Sequence, residues 1–345
     1  MQYIKYSSLT ISEITSKYIL SDQLDSVTSI YPFRVSPHFA ALIRKPNDPI
    51  WLQCIPDSRE LNDDQDPDPL SENILSPVQG LIHRYPDRVV LLVSNQCPVY
   101  CRFCMRKRHV GGDGDVPLSR KSLDQAIAYI AENPFINDVI LSGGDPLMLD
   151  DASLQYILVQ LKRISHVSII RIATRIPVTM PERVTPELCN ILKQFHPLYV
   201  NTHFNHPAEI NDASVKACEM LADAGIPLGN QTVLLAGVND CVEIMRELMK
   251  GLLKIRVKPY YIHHADLVKG TSHFRTTVDT GLEIIRGLRG FISGMAVPHF
   301  VIDLPGGKGK VPVLPDNTER EGDMLILKNY RGERISYFET ITPRV

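Results

Sequence analysis

Residues 88–108 read RVVLLVSNQCPVYCRFCMRKR, in which a β-branched run of strand length is followed at once by a loop with three cysteines. Apolar runs of about four to eight residues, bounded by turn residues, are typical of strands buried in a sheet. In α/β proteins the loops at the carboxyl ends of parallel strands carry the ligand sites. The stretch therefore predicts a parallel strand with a cysteine-based site at its carboxyl end.

The same order, a short β-branched run and then a segment of helical length, repeats along the chain. Further strand candidates lie at 138–142, 168–174, 198–203, 231–235, 258–264 and 299–303. Helix candidates lie between the strands near 119–132, 152–164, 185–195, 210–224, 240–254 and 277–291. Six strand–helix–strand connections imply βαβ units. The predicted fold class is α/β, a partial (β/α)6 barrel of mainly parallel strands with an N-terminal helical extension and a C-terminal extension.

Three regions follow from this organisation. We expect an N-terminal extension at 1–80, the partial barrel at 81–305, and a C-terminal lysine loop and tail at 306–345. Within the first region, the acidic and proline-rich stretch PDSRELNDDQDPDPL (56–70) is predicted to be an exposed connector or surface loop.

The composition narrows the class of protein. The 345 residues are 44% apolar and carry 37 Lys and Arg against 39 Asp and Glu, a formal net charge of −2. Such a chain fills a sizeable core and has no general attraction for nucleic acid or anionic lipid. The sequence lacks the apolar run of a signal peptide, and it has no apolar run of about 18 residues. We therefore expect a cytoplasmic protein that binds neither nucleic acid nor membrane.

Cys97, Cys101 and Cys104 stand at C-x3-C-x2-C spacing in the loop after the first strand candidate. The chain has seven cysteines, and an odd number with three crowded together is a poor disulfide pattern. A structural zinc site needs four protein ligands, whereas this loop offers three. Three thiolates suffice for a four-iron cluster with one iron left open. The loop therefore favours an iron–sulfur site, which a non-catalytic electron-transfer protein would also have.

This spacing resembles the signature of the radical S-adenosylmethionine (SAM) enzymes. The resemblance implies that SAM binds the open iron of a 4Fe-4S cluster and is cleaved to a 5′-deoxyadenosyl radical by one electron, from a donor such as flavodoxin or ferredoxin. The segment LSGGDPL (141–147) resembles the family's glycine-rich SAM motif, in which glycines allow close backbone approach and Asp145 accepts from the SAM ammonium. The implied SAM-binding residues are Ser142, Gly143, Gly144, Asp145, Arg175, His203 and Gln231.

Longer segments resemble one branch of these enzymes, the lysine 2,3-aminomutase family, over about residues 31–343. They include GLIHRYPDRVVLLV (80–93), NTHFNHPAEI (201–210), YYIHHADL (260–267) and DLPGGKGKVPV (303–313). The resemblance implies pyridoxal 5′-phosphate (PLP) as a second cofactor, bound covalently by the catalytic Lys310. Lys308 stands where the family commonly has glycine, so two lysines compete for this role. The other implied PLP-binding residues are Arg84, Tyr85 and Arg88.

The same resemblance implies the substrate. Arg106 matches an arginine that binds the α-carboxylate, and Asp266 and Asp303 match two aspartates that bind an ε-ammonium. Two carboxylates in one pocket select a distal cation, because leaving them unpaired and desolvated is costly. The expected reaction is the isomerisation of L-lysine to β-lysine by 1,2-amino migration. Two alternatives stay open: formation of β-lysine for attachment to an elongation factor, and a 2,3-aminomutase for another amino acid such as arginine or ornithine.

The sequence departs from long family members near its C-terminal end. Those members continue with a cysteine-rich segment that binds zinc together with a cysteine of their VNDC motif. This sequence keeps Cys241 in that motif and stops at Val345. We therefore expect a short form without this zinc site. The sequence is compatible with a homo-oligomer.

Overall fold

The computed structural model describes residues 1–10, 13–14, 24–111, 118–322 and 324–337. In the N-terminal part three short helices precede the sheet, namely α1 (Leu24–Thr28), α2 (Pro37–Ala41) and α3 (Pro49–Cys54). The last two begin with a proline behind a capping side chain, Ser36 or Asp48, because proline lacks the N–H that a first turn leaves unpaired. Phe39, Ile50 and Trp51 on these helices join the main core. The predicted N-terminal helical extension is confirmed.

Nine strands form one sheet in which the order along the chain is also the order in space. The strands are β1 (Leu81–Tyr85), β2 (Arg88–Ser94), β3 (Asp138–Gly143), β4 (Ile169–Ala173), β5 (Leu198–Thr202), β6 (Leu228–Leu234), β7 (Val257–His264), β8 (His299–Asp303) and β9 (Lys310–Pro312). Every neighbouring pair from β2 to β8 is parallel, whereas β1 and β9 pair antiparallel at the two edges. The predicted partial barrel of mainly parallel strands is confirmed.

A helix follows each parallel strand from β2 to β7. The helices are α4 (Arg120–Glu132), α5 (Asp151–Lys162), the short α6 (Ile176–Thr179), α7 (Pro186–Leu192), α8 (Asp212–Asp223), α9 (Val242–Lys254) and α10 (Val278–Leu288). Ser119, Asp150 and Thr185 cap three of them by accepting from a backbone N–H of the first turn. Six of these helices lie where the periodicity of the sequence predicts them.

The two edges of the sheet approach each other through side chains. On β1, Arg84 Nη1 donates to Asp303 Oδ1 of β8 over 3.1 Å. The Tyr85 hydroxyl accepts from the backbone N–H of Lys310, on β9, over 2.8 Å. Since β1 and β9 lie at opposite edges of the strand order, these contacts and not a strand pair join the first and last strands of the curled sheet.

Some strands of the structure have no counterpart among the predicted ones. They are β1, β9 and a separate antiparallel sheet of β10 (Thr318–Glu321), β11 (Met324–Lys328) and β12 (Arg334–Tyr337). These are edge strands or exposed strands, so their residues do not form the buried apolar runs that mark the central ones. The boundary expected between 305 and 306 falls inside the hairpin of β8 and β9.

The stretch 56–70 is not simply an exposed connector, and that prediction was wrong in part. Glu60 is 1% exposed and Asp63 is 6% exposed. Asp63 accepts from the backbone N–H groups of Gly270, Thr271 and Ser272. Acidic side chains in this stretch therefore bind other parts of the chain instead of facing water.

Within the described residues, none of the helices combines the length and the apolar character that crossing a membrane would demand.

Candidate active site

The three cysteines lie in the segment between β2 and α4. Burial raises the pKa of Cys104 to about 11 and that of Cys97 well above its usual range, and neighbouring cysteines add to both shifts. Thiols that oppose one another's ionisation fit a site for a cationic iron cluster, because the metal charge removes that penalty. In the described part of the chain no three His, Cys, Asp or Glu side chains already surround one point. A four-iron cluster takes each thiolate at a different iron, so its ligands do not have to surround a single point.

Arg175 follows β4 and lies beside the cysteine loop. Its Nη1 donates to the Cys101 sulfur over 2.7 Å, and its Nη2 donates to Gln53 Oε1 and Glu209 Oε1 over 2.5 and 3.0 Å. Gln53 and Glu209 are completely buried. Two buried acceptors thus hold this guanidinium against a cluster sulfur.

An ion triad of Glu60, Arg102 and Lys107 anchors the cysteine loop. Arg102 donates to both carboxylate oxygens of Glu60 over 2.9 and 2.6 Å, and Lys107 Nζ also donates to Glu60. Lys107 further donates to the backbone oxygen of Gly270 over 2.9 Å. Burial lowers the pKa of Lys107 to about 8, and the charge of Glu60 opposes that shift. The triad ties the cysteine loop to the segment that carries Asp266.

The glycines at the end of β3 pack against the start of the cysteine loop. Gly143 has a φ of 120°, and a Cβ there would lie 2.2 Å from the carbonyl oxygen of Ser94. At Gly144 a Cβ would lie 2.5 Å from the carbonyl oxygen of Gln96. Close backbone approach explains both glycines, and here the approaching backbone is the protein's own loop.

Asp145 is 3% exposed and turned into the protein. Its carboxylate accepts from the Thr174 hydroxyl, from the backbone N–H of Arg175 and from that of Leu147, over 2.7, 2.7 and 3.0 Å. Burial raises its pKa to about 6, although these donors oppose the shift. The carboxylate is thus fixed by three internal donors, and the contact with the SAM ammonium stays a prediction.

His203 and Gln231 belong to the next two strands. His203 follows β5 with its Nε2 3.1 Å from Asn205 Oδ1, and burial together with the charge of Arg175 lowers its pKa well below the usual range. Gln231 lies in the middle of β6, beside a register shift against β7. It does not start the strand, because 228–230 already pair with 257–259. Both side chains stay predicted SAM ligands.

Lys310 and Asp303 form the centre of a second cluster of charges. Lys310 Nζ donates to Asp303 Oδ2 and lies 3.2 Å from His263 Nδ1. Arg84 contacts the other oxygen of Asp303. Burial opposes ionisation of Asp303, but His263 and Lys310 together hold its pKa well below the usual range. The neighbouring Lys308 is exposed.

The aromatic and basic side chains predicted for PLP lie next to this lysine. The Arg88 guanidinium stacks 4.6 Å from the centre of the Tyr85 ring. A Cβ at Gly309 would lie 3.6 Å from the same ring, so glycine leaves room beside it. The structure thus brings Arg84, Tyr85, Arg88 and Lys310 into one place.

Arg106 is held by a residue that the sequence did not single out. Its Nε and Nη2 donate to the two oxygens of Glu72 over 3.0 and 2.8 Å, and its Nη1 donates to Ser142 Oγ over 3.1 Å. A guanidinium has five N–H donors. After these three bonds, one hydrogen remains on each of Nη1 and Nη2. That remaining edge is a fork suited to a carboxylate.

Asp266 lies close enough to Asp303 for their charges to interact. Burial and the charge of Asp303 raise the pKa of Asp266 to about 7. The pKa values of these two neighbouring carboxyl groups are thus shifted in opposite directions. The site holds one negative charge readily, and a second one becomes stable only when a cation binds. The two predicted aspartates are therefore brought together.

Comparison with known proteins identifies the family. The model of the Radical SAM superfamily matches residues 91–249, and the model named Lysine-2,3-aminomutase matches residues 285–342. The L-lysine 2,3-aminomutase of Clostridium subterminale is 52% identical over 314 residues, which cover 89% of this chain and 75% of that relative. This chain belongs to the lysine 2,3-aminomutase family. The L-lysine 2,3-aminomutase of Methanococcus maripaludis is 49% identical over 92% of this chain and 74% of its own length. The glutamate 2,3-aminomutase of Clostridioides difficile is 46% identical to this chain. The match covers 95% of this chain and 77% of that relative.

As a lysine 2,3-aminomutase family member, the chain is an enzyme of the isomerase class with a 4Fe-4S cluster and SAM as cofactors. An amino acid substrate and an electron donor follow from the same membership. The cysteine loop fits the cluster by the chemistry of its donors, three thiols within eight residues beside a buried guanidinium.

Sequence reasoning missed three residues of this aminomutase-family site: Glu60, Glu72 and His263. Glu60 lies in the acidic stretch 56–70 and Glu72 lies two residues after it, and both ion-pair with basic residues of the cysteine loop. This opposite charge of two separate segments is a signal that the sequence contains. His263 has no such local signal, since it is one of two adjacent histidines at the end of a strand.

Proposed function

We propose that this aminomutase converts L-lysine to β-lysine, with PLP bound to Lys310. The observation that carries the proposal is the ion pair between Lys310 and Asp303, in a pocket shared with Asp266. The ammonium of Lys310 pairs with Asp303 as the distal ammonium of a lysine substrate would. Once Lys310 is bonded to a cofactor it is no longer a free ammonium at Asp303, and the buried Asp303 gains from a new cation. A lysine substrate provides one.

The remaining groups orient the amino acid. The open edge of Arg106 binds the α-carboxylate, and Ser142 and Glu72 fix the plane of the guanidinium. When bound, SAM supplies the radical that removes a hydrogen, and PLP supplies a carbonyl carbon for the amino group and a ring that delocalises the unpaired electron. Arg84 and Arg88 offer two guanidiniums for the PLP phosphate.

A different amino acid is the second candidate, because a 46% identical relative is named for glutamate. The acidic pair argues against glutamate here, since a third carboxylate beside Asp266 and Asp303 would repel both. Arginine and ornithine carry the distal cation that the pair requires. Attachment of β-lysine to an elongation factor would use the same reaction on lysine.

The substrate is tested by an anaerobic assay of reconstituted protein with reductant, SAM, PLP and a panel of lysine, ornithine, arginine and glutamate. We expect the β-isomer of lysine alone, measured by mass spectrometry after derivatisation. Formation of 5′-deoxyadenosine without any β-amino acid would show that the pocket has been misassigned.

The lysine is tested by comparing Lys310→Ala with Lys308→Ala. We expect Lys310→Ala to abolish turnover and borohydride-trapped PLP while the visible spectrum of the iron cluster is unchanged, because the lysine ammonium bonds Asp303 and His263. The exposed Lys308 serves as the matched control, and its variant should keep both. The opposite pattern would assign PLP to Lys308.

A further inference from the structure

We propose that His263 is a catalytic residue that takes the proton of Lys310 when this lysine exchanges its bond to PLP. The inference rests on the proposed function and deepens it. A lysine must be uncharged to attack an aldehyde, because the ammonium has no lone pair. In the structure Lys310 is an ion-paired ammonium at Asp303. Some nearby group must therefore receive a proton before the lysine reacts.

His263 is placed for this transfer by direct contact. Its Nδ1 lies 3.2 Å from Lys310 Nζ and 3.4 Å from Asp303 Oδ2. Because an ammonium can only donate, the contact with Lys310 requires the tautomer in which Nδ1 accepts and Nε2 carries the hydrogen. The other tautomer, with its hydrogen on Nδ1, donates to Asp303 instead. Nε2 is buried and has no hydrogen-bond partner among the described residues. Among the described residues, the charged groups that act on the ring, Lys310 and Asp303, thus both lie at the nitrogen that faces the lysine.

The imidazole is a better proton acceptor than the carboxylate that also contacts Nζ. Their ordinary pKa values are about 6.5 and about 3.9, so transfer to the histidine is less unfavourable by roughly two to three pKa units. The groups that face the ring are Lys310 on β9, Asp303 on β8, Tyr261 on β7 and His203 after β5. Burial and the charge of Lys310 lower the pKa of His263, while Asp303 opposes this shift. When the proton moves, the lysine charge disappears and the imidazolium keeps Asp303 as its partner.

The step balances as follows. One proton passes from Lys310 Nζ to His263 Nδ1, and the nitrogen keeps its lone pair. The uncharged amine would then form a C=N bond to the aldehyde carbon of PLP in place of the C=O bond, and its two hydrogens would leave with the carbonyl oxygen as water. When a substrate amine takes the place of Lys310, the released lysine recovers the proton from His263. No oxidant or reductant is involved.

The experiment follows covalent attachment of PLP to Lys310 without turnover. PLP is added to protein lacking SAM, samples are reduced with borohydride at successive times, and the modified Lys310 peptide is quantified by mass spectrometry between pH 6 and pH 9. His263→Asn keeps a polar group near the Nδ1 position but accepts no proton. We expect it to be at least about tenfold slower than the native protein at pH 7. The difference in rate between the variant and the native protein should narrow at high pH, where solvent deprotonates the lysine.

His264→Asn is the matched control, because the neighbouring histidine bonds Thr276 and does not contact Lys310. It should react like the native protein. His263→Gln provides a second variant without a proton acceptor and should be equally slow. Equal rates and equal pH profiles for native and His263 variants would overturn the inference while leaving PLP binding intact. If native Lys310 acquires no PLP, the proposed function fails and the inference with it.

Discussion

Asp266 and Asp303 carry opposite pKa shifts although they lie in one pocket. Asp303 is ionised because Lys310, His263 and Arg84 surround it. Asp266 has a pKa of about 7 because it is buried next to that charge. The difference between these two carboxylates comes from their partners and not from their residue type, and it leads to a prediction about pH.

We predict that lysine binds more tightly as the pH rises from 6 to 8. Since the pKa of Asp266 is raised, the carboxyl is mostly protonated at pH 6 and a bound ammonium must displace that proton. Affinity should therefore fall about tenfold from pH 8 to pH 6. Equilibrium dialysis of lysine against the protein, without SAM, measures this affinity. Asp266→Asn should bind weakly at both pH values, and a native affinity independent of pH would contradict the prediction.

Glu72 is predicted to act on substrate through Arg106. In Glu72→Gln the amide can accept only one of the two bonds from the guanidinium, so the open edge of Arg106 loses its orientation. We expect lysine affinity to fall about tenfold, while the affinity for 1,5-diaminopentane, which lacks the carboxylate, stays the same.

The control for Glu72 is Asp138→Asn. Asp138 forms an equally bidentate pair with Arg171 at the start of β3, away from the site. This variant should leave the ratio of the two affinities unchanged. A Glu72 variant that loses both ligands equally would point to a general loss of structure.

At the scale of elements, the cysteine loop depends on a short acidic turn far away in sequence. Ser58–Leu61 forms a single 3-10 turn that carries Glu60, and this carboxylate receives Arg102 and Lys107 from the loop. A buried ion group contributes little when intact, but removing one member leaves uncompensated charge in the core.

We predict that Glu60→Gln destabilises the protein strongly. The change leaves two buried cations with a neutral partner, and the free energy of unfolding should fall by about 3–5 kcal/mol. Urea unfolding of the cluster-free protein, followed by circular dichroism, measures it. Arg59→Gln on the same turn breaks a pair that is 57% and 28% exposed and should cost less than about 1 kcal/mol. Equal effects of the two variants would rule out the triad as an anchor.

At the scale of the molecule, the cysteine loop is a meeting point of distant segments. The Tyr6 hydroxyl donates to the Cys97 carbonyl oxygen over 3.4 Å, and Tyr3 donates to Asn95 over 2.9 Å. Arg34 stacks 4.7 Å from the centre of the Tyr100 ring. The N-terminal segment, the acidic turn and the segment after β7 thus all contact the same loop.

We predict that loading the iron cluster stabilises the whole chain. A ligand that binds only the folded loop adds to stability by mass action, and every segment in contact with the loop shares the gain. The midpoint of anaerobic urea unfolding should rise on reconstitution with an unchanged slope. A variant with alanine at Cys97, Cys101 and Cys104 should show no rise. Identical midpoints for cluster-free and loaded native protein would contradict the prediction.

The strands of the barrel and the cysteine loop after the first parallel strand could be predicted from the sequence alone. Short β-branched runs, such as 88–94 and 138–142, alternate with segments of helical periodicity. Burial of apolar side chains imposes both patterns on the local sequence. The cysteine spacing is also local, since it lies within eight residues. For this reason β2 to β8, six of the seven helices between them and the cysteine loop could be predicted from the sequence.

Which groups surround the proposed substrate site depends on contacts between distant parts of the chain. Arg84 meets Asp303 across 219 residues, and Lys310 meets His263 across 47. The tertiary structure also decided that Glu60 is buried although its turn is otherwise largely exposed, and that Lys310 bonds the aspartate whereas Lys308 is exposed. The contact of Arg84 with Asp303 depends on the curl of the sheet, which brings β1 close to β8, whereas Lys310 and His263 meet because β9 and β7 flank the same strand. The local periodicity of the sequence does not predict which distant side chains come into contact when the sheet curls.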